Sequence, residues 1–243
     1  MTWFHGRLCG FDLETTGVDL ENDRIVTACA VQCGGKQDTQ SINWMADPGI
    51  EIPEGAAKVH GITTERARAE GRPAAEVVEQ VIASLAESVS AGLPVIAMNA
   101  SFDLTILDRE ARRHGVQPLT DIVGDNLYVV DPRVLDKQMD QRRKGQRTLS
   151  ALCQHYKVRL DGAHSSDADA IAACRVAWRL ATRFERIGVM TLPELHQAQI
   201  KWAESQARSL AGYFRRTPGK ESWADGVRTE WPLVPAPRAG EAA

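Results

Sequence analysis

The sequence lacks the features that mark several large classes of proteins. Its five cysteines include no Cys-x-x-Cys pair. This excludes a cysteine-based zinc site and a disulfide framework, and it favours a reducing compartment. No apolar run approaches the roughly 18 residues that cross a bilayer. The opening residues, MTWFHGRLCG, lack the basic-then-apolar pattern of a signal peptide. We therefore expect a cytoplasmic protein without membrane contact.

A surplus of positive charge is also missing. Lysine and arginine total 29 against 32 acidic residues, so the formal net charge is −3 over 243 residues. Any binding of nucleic acid must then come from a local patch of positive charge and not from the electrostatic field of the whole protein. The densest basic run leads toward His164 and is a candidate for contact with a phosphate backbone, although such runs are often solvated loops. Its cations are Arg142, Arg143, Lys144 and Arg147.

Hydrophobic periodicity predicts an opening meander of strands, followed by strands that alternate with helices. The meander has strands at 7–13, 24–32 and 41–45, with Gly34-Gly35 as a hairpin turn. Further strands are predicted at 94–98 and 127–130, and helices at 74–90, 102–114, 148–156 and 167–184. This order is typical of an α/β protein with a mixed five-stranded sheet flanked by helices.

The composition changes near Gly188. Residues 192–214 have the pattern of a long polar helix, and the chain after Thr217 is rich in proline, glycine and charge. We expect one domain over 1–187 and a C-terminal helical extension with a proline-rich tail over 188–243. Trp223 and Trp231 indicate packing against the domain or a partner, and the last dozen residues are expected to be weakly ordered.

Two acids stand one residue apart in the first strand, CGFDLETTG. Residues two apart in a strand point to the same face, so Asp12 and Glu14 carry neighbouring carboxylates. Two like charges this close do not both ionise unaided. A divalent cation that prefers oxygen ligands, Mg²⁺ or Mn²⁺, resolves the conflict. A solvent-exposed strand end is the plain alternative, because Asp-x-Glu pairs are common.

Two later segments place more acids at the ends of predicted elements. Asn99 ends a buried strand and is a good N-cap, and Asp103 lies in the first helical turn that follows. Ligand sites of open α/β sheets lie beyond such strand ends, but Asp103 can also simply complement the helix dipole. His164 lies in a loop before Asp167 and Asp169, where a histidine can act as a general base. Capping of the helix by Ser166 or Asp167 is the structural alternative.

The order Asp-x-Glu, Asn-x-x-x-Asp and His-x-x-x-x-Asp resembles the DEDDh 3′–5′ exonucleases, which include the proofreading subunit of bacterial replicative DNA polymerases. The segment AAKVHGIT, residues 56–63, is similar to a further segment of that family. The resemblance covers about residues 7–186 and implies the ribonuclease-H-like exonuclease fold. The matching positions are Asp12, Glu14, Asp103, His164 and Asp169; the spacing selects Asp169 over Asp167.

The resemblance also implies a chemistry. Asp12, Glu14, Asp103 and Asp169 would hold two Mg²⁺ or Mn²⁺ ions about 3.5–4 Å apart, with His164 as general base. A nucleoside 5′-monophosphate would leave from the 3′ end. The implied substrate-binding positions are Leu13, Thr15, Thr16, His60, Asn99 and Phe102. For Phe102, stacking on a base and packing in the core are equal alternatives.

Three functions remain open. The first is a DNA exonuclease, preferring single strands, in proofreading, repair or end trimming. The second is an exoribonuclease of the RNase T or oligoribonuclease type, which the 2′-hydroxyl would distinguish. The third is a scaffold or binding subunit of a polymerase or repair complex, contacted through the C-terminal extension. The expected partners are thus 3′ ends of single-stranded DNA or RNA, together with a polymerase or repair-complex protein.

Overall fold

A mixed sheet forms the centre of the molecule, which a computed structural model describes over residues 2–160 and 165–236. Its strands are β1 (Arg7–Thr15), β2 (Ile25–Gly34), β3 (Gln40–Asp47), β4 (Arg72–Pro73), β5 (Val95–Ile96) and β6 (Val129–Val130). The order in the sheet is β4-β3-β2-β1-β5-β6. Strands β1 to β3 are antiparallel, and the other three pair in parallel. The expected α/β class is confirmed, and the strand beyond the five expected is the two-residue β4.

Ten helices flank this sheet in the described ranges. They are α1 (Glu54–His60), α2 (Thr64–Glu70), α3 (Ala74–Ser90), α4 (Ala100–His114), α5 (Leu119–Val123), α6 (Pro132–Met139), α7 (Leu149–Tyr156), α8 (Ser166–Arg183), α9 (Glu185–Gly188) and α10 (Leu192–Arg215). Helix α10 begins with a capping box in which Thr191 and Glu194 satisfy each other's backbone N–H groups. None of these helices combines the length and the apolar composition that a membrane span requires.

Two hydrophobic layers cover opposite faces of β1 because its side chains alternate. Cys9, Phe11 and Leu13 belong to the layer built with α3 and α4. Leu8 belongs to the other layer, with α7 and α8. The even-numbered positions after Leu8 therefore face α8, and among them are Asp12 and Glu14.

The C-terminal extension packs against the same core. Trp231 and Val234 are each 7% exposed. The Val234 N–H donates to Thr105 Oγ1 at 3.0 Å, and Arg109 donates to the carbonyl of Pro235 at 2.9 Å. The expectation of weak order is therefore wrong for residues 232–236, while 237–243 lie outside the described residues. The domain boundary between 187 and 188 remains a prediction.

Helix α10 also covers the free edge of the sheet at β6. The Gln199 side chain donates to the carbonyl of Val129 at 2.9 Å and accepts from the Asp131 N–H at 2.8 Å. His196 Nδ1 accepts from the Val129 N–H at 3.1 Å. These side chains satisfy the edge groups that would otherwise be open to another strand.

Candidate active site

Three acids from two elements meet on the α8 face of β1. Asp12, Glu14 and Asp169 each offer one carboxylate oxygen, and these oxygens lie within 4.8 Å of one another. All three side chains are half-buried. Asp12 and Glu14 share a face because they stand two apart in β1, and the first turn of α8 brings Asp169 beside them. These are three of the four carboxylates that the resemblance indicated, with Asp169 and not Asp167.

Gly10 allows the close approach of these two elements. A Cβ at this position would lie 2.7 Å from the carbonyl oxygen of Ala170 and 2.9 Å from Cys174 Sγ. Real Cβ atoms do not approach backbone oxygens so closely, so a side chain here would displace α8. The glycine therefore holds Asp169, the residue before Ala170, at the level of Asp12.

Asp103 lies beside this trio. It is 4% exposed in the first turn of α4, and its Oδ1 accepts a hydrogen bond from the Leu13 N–H at 3.1 Å. The backbone between Asp12 and Glu14 thus orients the fourth carboxylate. The Leu13 side chain itself is buried in the core, so this residue meets the site only through its backbone.

The electrostatics of the cluster call for a cation. Burial raises the pKa of Asp12 well above its ordinary value, and the charges of Asp103, Asp169 and Glu14 raise it further. Burial also raises the pKa of Asp103, against hydrogen bonds from backbone N–H groups that lower it. Carboxylate oxygens in this number and spacing suit Mg²⁺ or Mn²⁺. The residues present therefore fit a divalent metal.

Asp131 is a site-building residue that the sequence did not reveal. It is 1% exposed, and its carboxylate accepts from the backbone N–H groups of Asn99 at 3.1 Å and Ala100 at 3.0 Å. It also accepts from the Arg133 N–H at the start of α6. One carboxylate thus caps both α4 and α6 and fixes the turn that carries Asp103. An acid after the buried run LYVV, followed by proline, signals the α6 cap but not the link to α4.

Asn99 is the N-cap residue of α4, as expected, but its side chain does not cap the helix. Its backbone is left-handed with φ of 66°, and no side-chain capping hydrogen bond forms. Its Oδ1 instead accepts from the Arg133 guanidinium at 2.6 Å. The Asp131 carboxylate, which follows the neighbouring strand β6, caps α4 instead.

The predicted substrate-binding residues fall into two groups around the carboxylates. His60 lines a depression with Glu14 and Asp167, and burial lowers the pKa of its imidazole, against a hydrogen bond with the Thr15 backbone that raises it. Asn99 and Phe102 line a cleft on the other side. His164 lies outside the described residues, so its role remains a prediction.

The hydroxyl groups of Thr15 and Thr16 are engaged within the loop that follows β1. Thr15 Oγ1 donates to the carbonyl of Gly17, and Thr16 Oγ1 donates to Asp23 Oδ1, both at 2.6 Å. Thr16 is 2% exposed. These hydrogen bonds show that both side chains shape the loop; a contact of this segment with a nucleotide remains a prediction.

Two of the four cations in the basic run at 142–147 form structural ion pairs. Arg143 donates to the buried carboxylate of Asp136 at 2.9 Å, and Arg147 contacts the same group. Tyr156 adds a hydrogen bond to Asp136 at 2.6 Å. Of the four cations proposed to contact phosphate, only Arg142 and Lys144 are exposed.

Comparison with known proteins gives a family. The model of the RNase T exonuclease family matches residues 9–177. The DNA polymerase III PolC-type protein of Lacticaseibacillus paracasei is 28% identical over 187 residues, which are 76% of this chain and 12% of that protein. Its counterpart in Caldanaerobacter subterraneus subsp. tengcongensis is 25% identical over 191 residues, 79% of this chain and 13% of that protein. The chain thus spans about an eighth of the length of these relatives.

Solved exonucleases share the fold. E. coli exonuclease I, in its zinc-bound complex with single-stranded DNA, superposes with a TM-score of 0.63 at 17% identity, over 86% of this chain and 45% of that one. Exonuclease I of Methylocaldum szegediense gives a TM-score of 0.60 at 18% identity, over 85% and 45%. With the match over residues 9–177 and the carboxylates on their expected elements, the chain belongs to the DEDD-type 3′–5′ exonuclease family.

Proposed function

We propose that this chain is a metal-dependent 3′–5′ exonuclease that removes nucleoside 5′-monophosphates from single-stranded DNA. The observation that carries the proposal is the meeting of Asp12, Glu14 and Asp169 within 4.8 Å, inside the segment that matches the exonuclease family. DNA is favoured over RNA because E. coli exonuclease I, which shares the fold, was solved with single-stranded DNA.

Four carboxylates would hold the metal ions of this reaction: those of Asp12, Glu14, Asp103 and Asp169. Bound divalent ions supply an activated water and stabilise the leaving 3′ oxygen. The chain keeps the carboxylates in place without them, because Leu13 N–H orients Asp103 and Asp131 caps the helix that carries it. Such preorganisation lowers the cost of reaching the transition state.

The remaining roles belong to a base and to the groups that hold the 3′ end. His164, which matches the histidine of the family motif, would accept the proton of the attacking water. The backbone from Leu13 to Thr16 would lie beside the terminal nucleotide, as the resemblance implies. His60 and Phe102, which line two separate depressions, would contact its base or sugar.

Proofreading beside a polymerase is a second candidate for the cellular role. The similarity to PolC-type DNA polymerases favours it. The buried contacts of Trp231 and Val234 with the chain's own core leave less of the extension available to a partner than its sequence indicates.

The direct test uses 5′-labelled single-stranded DNA and RNA of one sequence, with Mg²⁺, with Mn²⁺ and with chelator. We expect a ladder that shortens from the 3′ end of DNA, releases 5′-monophosphates and stops with chelator or in Asp12→Ala. Faster cutting of RNA would transfer the proposal to the ribonuclease class. Cutting of neither strand, in a protein that unfolds cooperatively, would contradict an exonuclease function.

A further inference from the structure

A cleft of about 360 Å³ lies next to the carboxylate cluster, and the C-terminal extension builds one of its walls. Asn99 and Phe102 from the start of α4 and Arg133 and Lys137 from α6 form one side. The segment 226–231 and helix α10 form the other. The family match ends at residue 177, so this second wall lies outside the matched segment. The cleft begins one residue from Asp103.

Positive charge is concentrated in this cleft, although the whole chain carries a formal charge of −3. Three cations line it, Arg133, Lys137 and Arg228. Of its two acids, Asp131 is buried and receives three backbone N–H groups. The other, Glu230, accepts from the Thr229 N–H.

Lys137 and Arg133 lie close enough to repel each other. Burial lowers the pKa of Lys137 and the charges of Arg133 and Arg147 lower it further, whereas the carboxylate of Asp131 raises it. Among the described residues, no acid forms a salt bridge with Arg133, Lys137 or Arg228. A phosphate bound between Arg133 and Lys137 would reduce their repulsion.

Aromatic side chains also line the cleft. Trp231 contributes to the wall built by the extension, where it is 7% exposed. Phe102 on the opposite wall adds an aromatic surface, and bases stack on such surfaces without regard to sequence.

We propose that this cleft binds the single strand that precedes the nucleotide being removed, with Arg133, Lys137 and Arg228 contacting its phosphates. The inference rests on the proposed function, and it gives the C-terminal extension a role in holding the substrate. A strand in this cleft leads directly to the turn that carries Asp103.

The test measures binding separately from hydrolysis. A 5′-fluorescein-labelled oligothymidylate of roughly 12 nucleotides, within the range of single-strand site sizes, is titrated in chelator at several salt concentrations by fluorescence anisotropy. In Lys137→Ala/Arg228→Ala we expect Kd to rise about tenfold and the slope of log Kd against log salt to fall by about 1.4, since each phosphate contact contributes about 0.7. Lys201→Ala, an exposed lysine of α10 outside the cleft, is the matched control and should bind as the wild type.

Arg228 supplies a second variant that does not threaten the fold, because its side chain is exposed. Arg228→Glu should weaken binding, and Arg228→Lys should retain it. Unchanged Kd and slope in every cleft variant, or an equal loss in Lys201→Ala, would overturn the proposal and leave the cleft to a protein ligand. Wild type that binds the strand but never cuts it with metal contradicts the proposed function alone, since these titrations contain chelator.

Discussion

Gly10 sets the distance between β1 and α8, and with it the distance between Asp12 and Asp169. The atom that a side chain would meet is a backbone oxygen, 2.7 Å from the position of its Cβ. Backbone cannot rotate away as a flexible side chain can, so α8 as a whole must shift. A single missing methyl group thus determines whether the carboxylates can share an ion.

Gly10→Ala should therefore cost both stability and activity. We expect a loss of about 1–3 kcal/mol, the usual cost of forced overpacking, and a larger relative loss of exonuclease activity. Gly55→Ala is the matched control, because a Cβ there meets nothing within 4 Å and the residue lies in α1. Urea unfolding and the ladder assay measure the two effects; equal behaviour of both variants would contradict the account.

Asp12 is expected to lower the stability of the metal-free fold while serving the metal site. Burial and three neighbouring acids raise its pKa, so the ionised form destabilises the metal-free fold. Asp12→Asn should raise the thermal midpoint in chelator by a few degrees, since 1 kcal/mol corresponds to about 2–4 °C in a chain of this size. Added Mn²⁺ should then stabilise the wild type but not the variant.

The exposed Asp125→Asn provides the comparison for that experiment. It should leave both the midpoint in chelator and the response to Mn²⁺ unchanged. A fall in the midpoint of Asp12→Asn in chelator would mean that the cluster is not under electrostatic strain.

At the scale of elements, Asp136 ties α6, α7 and the loop between them together. It is fully buried, and its carboxylate receives Arg143, Arg147 and the Tyr156 hydroxyl. Burial alone would raise its pKa, but the hydrogen bonds from Arg143 and Tyr156 and the charge of Arg147 outweigh burial and hold the pKa below its usual value. A carboxyl whose pKa is lower in the folded than in the unfolded state stabilises the fold at pH values above its unfolded-state pKa. This stabilisation is lost as the pH falls toward the folded-state pKa.

Asp136→Asn should cost about 3–5 kcal/mol, because it leaves two largely buried arginines, with side chains 9% and 15% exposed, without their countercharge. The wild type should lose stability as the pH falls from about 5 toward 3, and the variant should lose less over that interval. Urea midpoints measured at successive pH values give both results. If stability fell with pH equally in the two proteins, Asp136 would not be the source of the pH dependence.

Helices and strands could be predicted from the sequence where the same hydrophobic periodicity continued over enough residues. Helix α3 keeps its predicted bounds because five apolar residues recur at helical spacing from Val77 to Leu85. Helices α1, α2, α5, α6 and α9 have four to eight residues and show no such period. Strand β4 has two residues and exists only because Ala46 and Asp47 of β3 are there to pair with it.

The same distinction applies to the site. Asp12 and Glu14 share a face by a local rule, the two-residue period of a strand, and the resemblance to the DEDDh motif indicated Asp169 through its distance from His164. Asp131 could not be found in this way, because its partners Asn99 and Ala100 lie more than 30 residues away along the chain. Capping across a sheet depends on tertiary structure, which no local pattern encodes.

At the scale of the whole molecule, the extension completes the core as well as the cleft. Truncation after Arg216 would remove Trp231, Val234 and the carbonyl that receives Arg109. Burial of two such side chains contributes about 3–5 kcal/mol, so the shortened protein should unfold at a markedly lower urea concentration. Truncation after Ala236 retains all of these contacts and should unfold as the full chain does; equal midpoints for both truncations would contradict this packing.

The most direct test of the central claim compares Asp169→Asn with Asp167→Asn. Both changes remove one charge from the first turn of α8, but only Asp169 belongs to the group of oxygens within 4.8 Å. We expect Asp169→Asn to slow degradation of 5′-labelled single-stranded DNA on the order of 10³-fold, the loss of several kcal/mol of metal-dependent stabilisation, and Asp167→Asn to stay near wild type. Comparable rates for the two variants, or loss in Asp167→Asn alone, would contradict the claim.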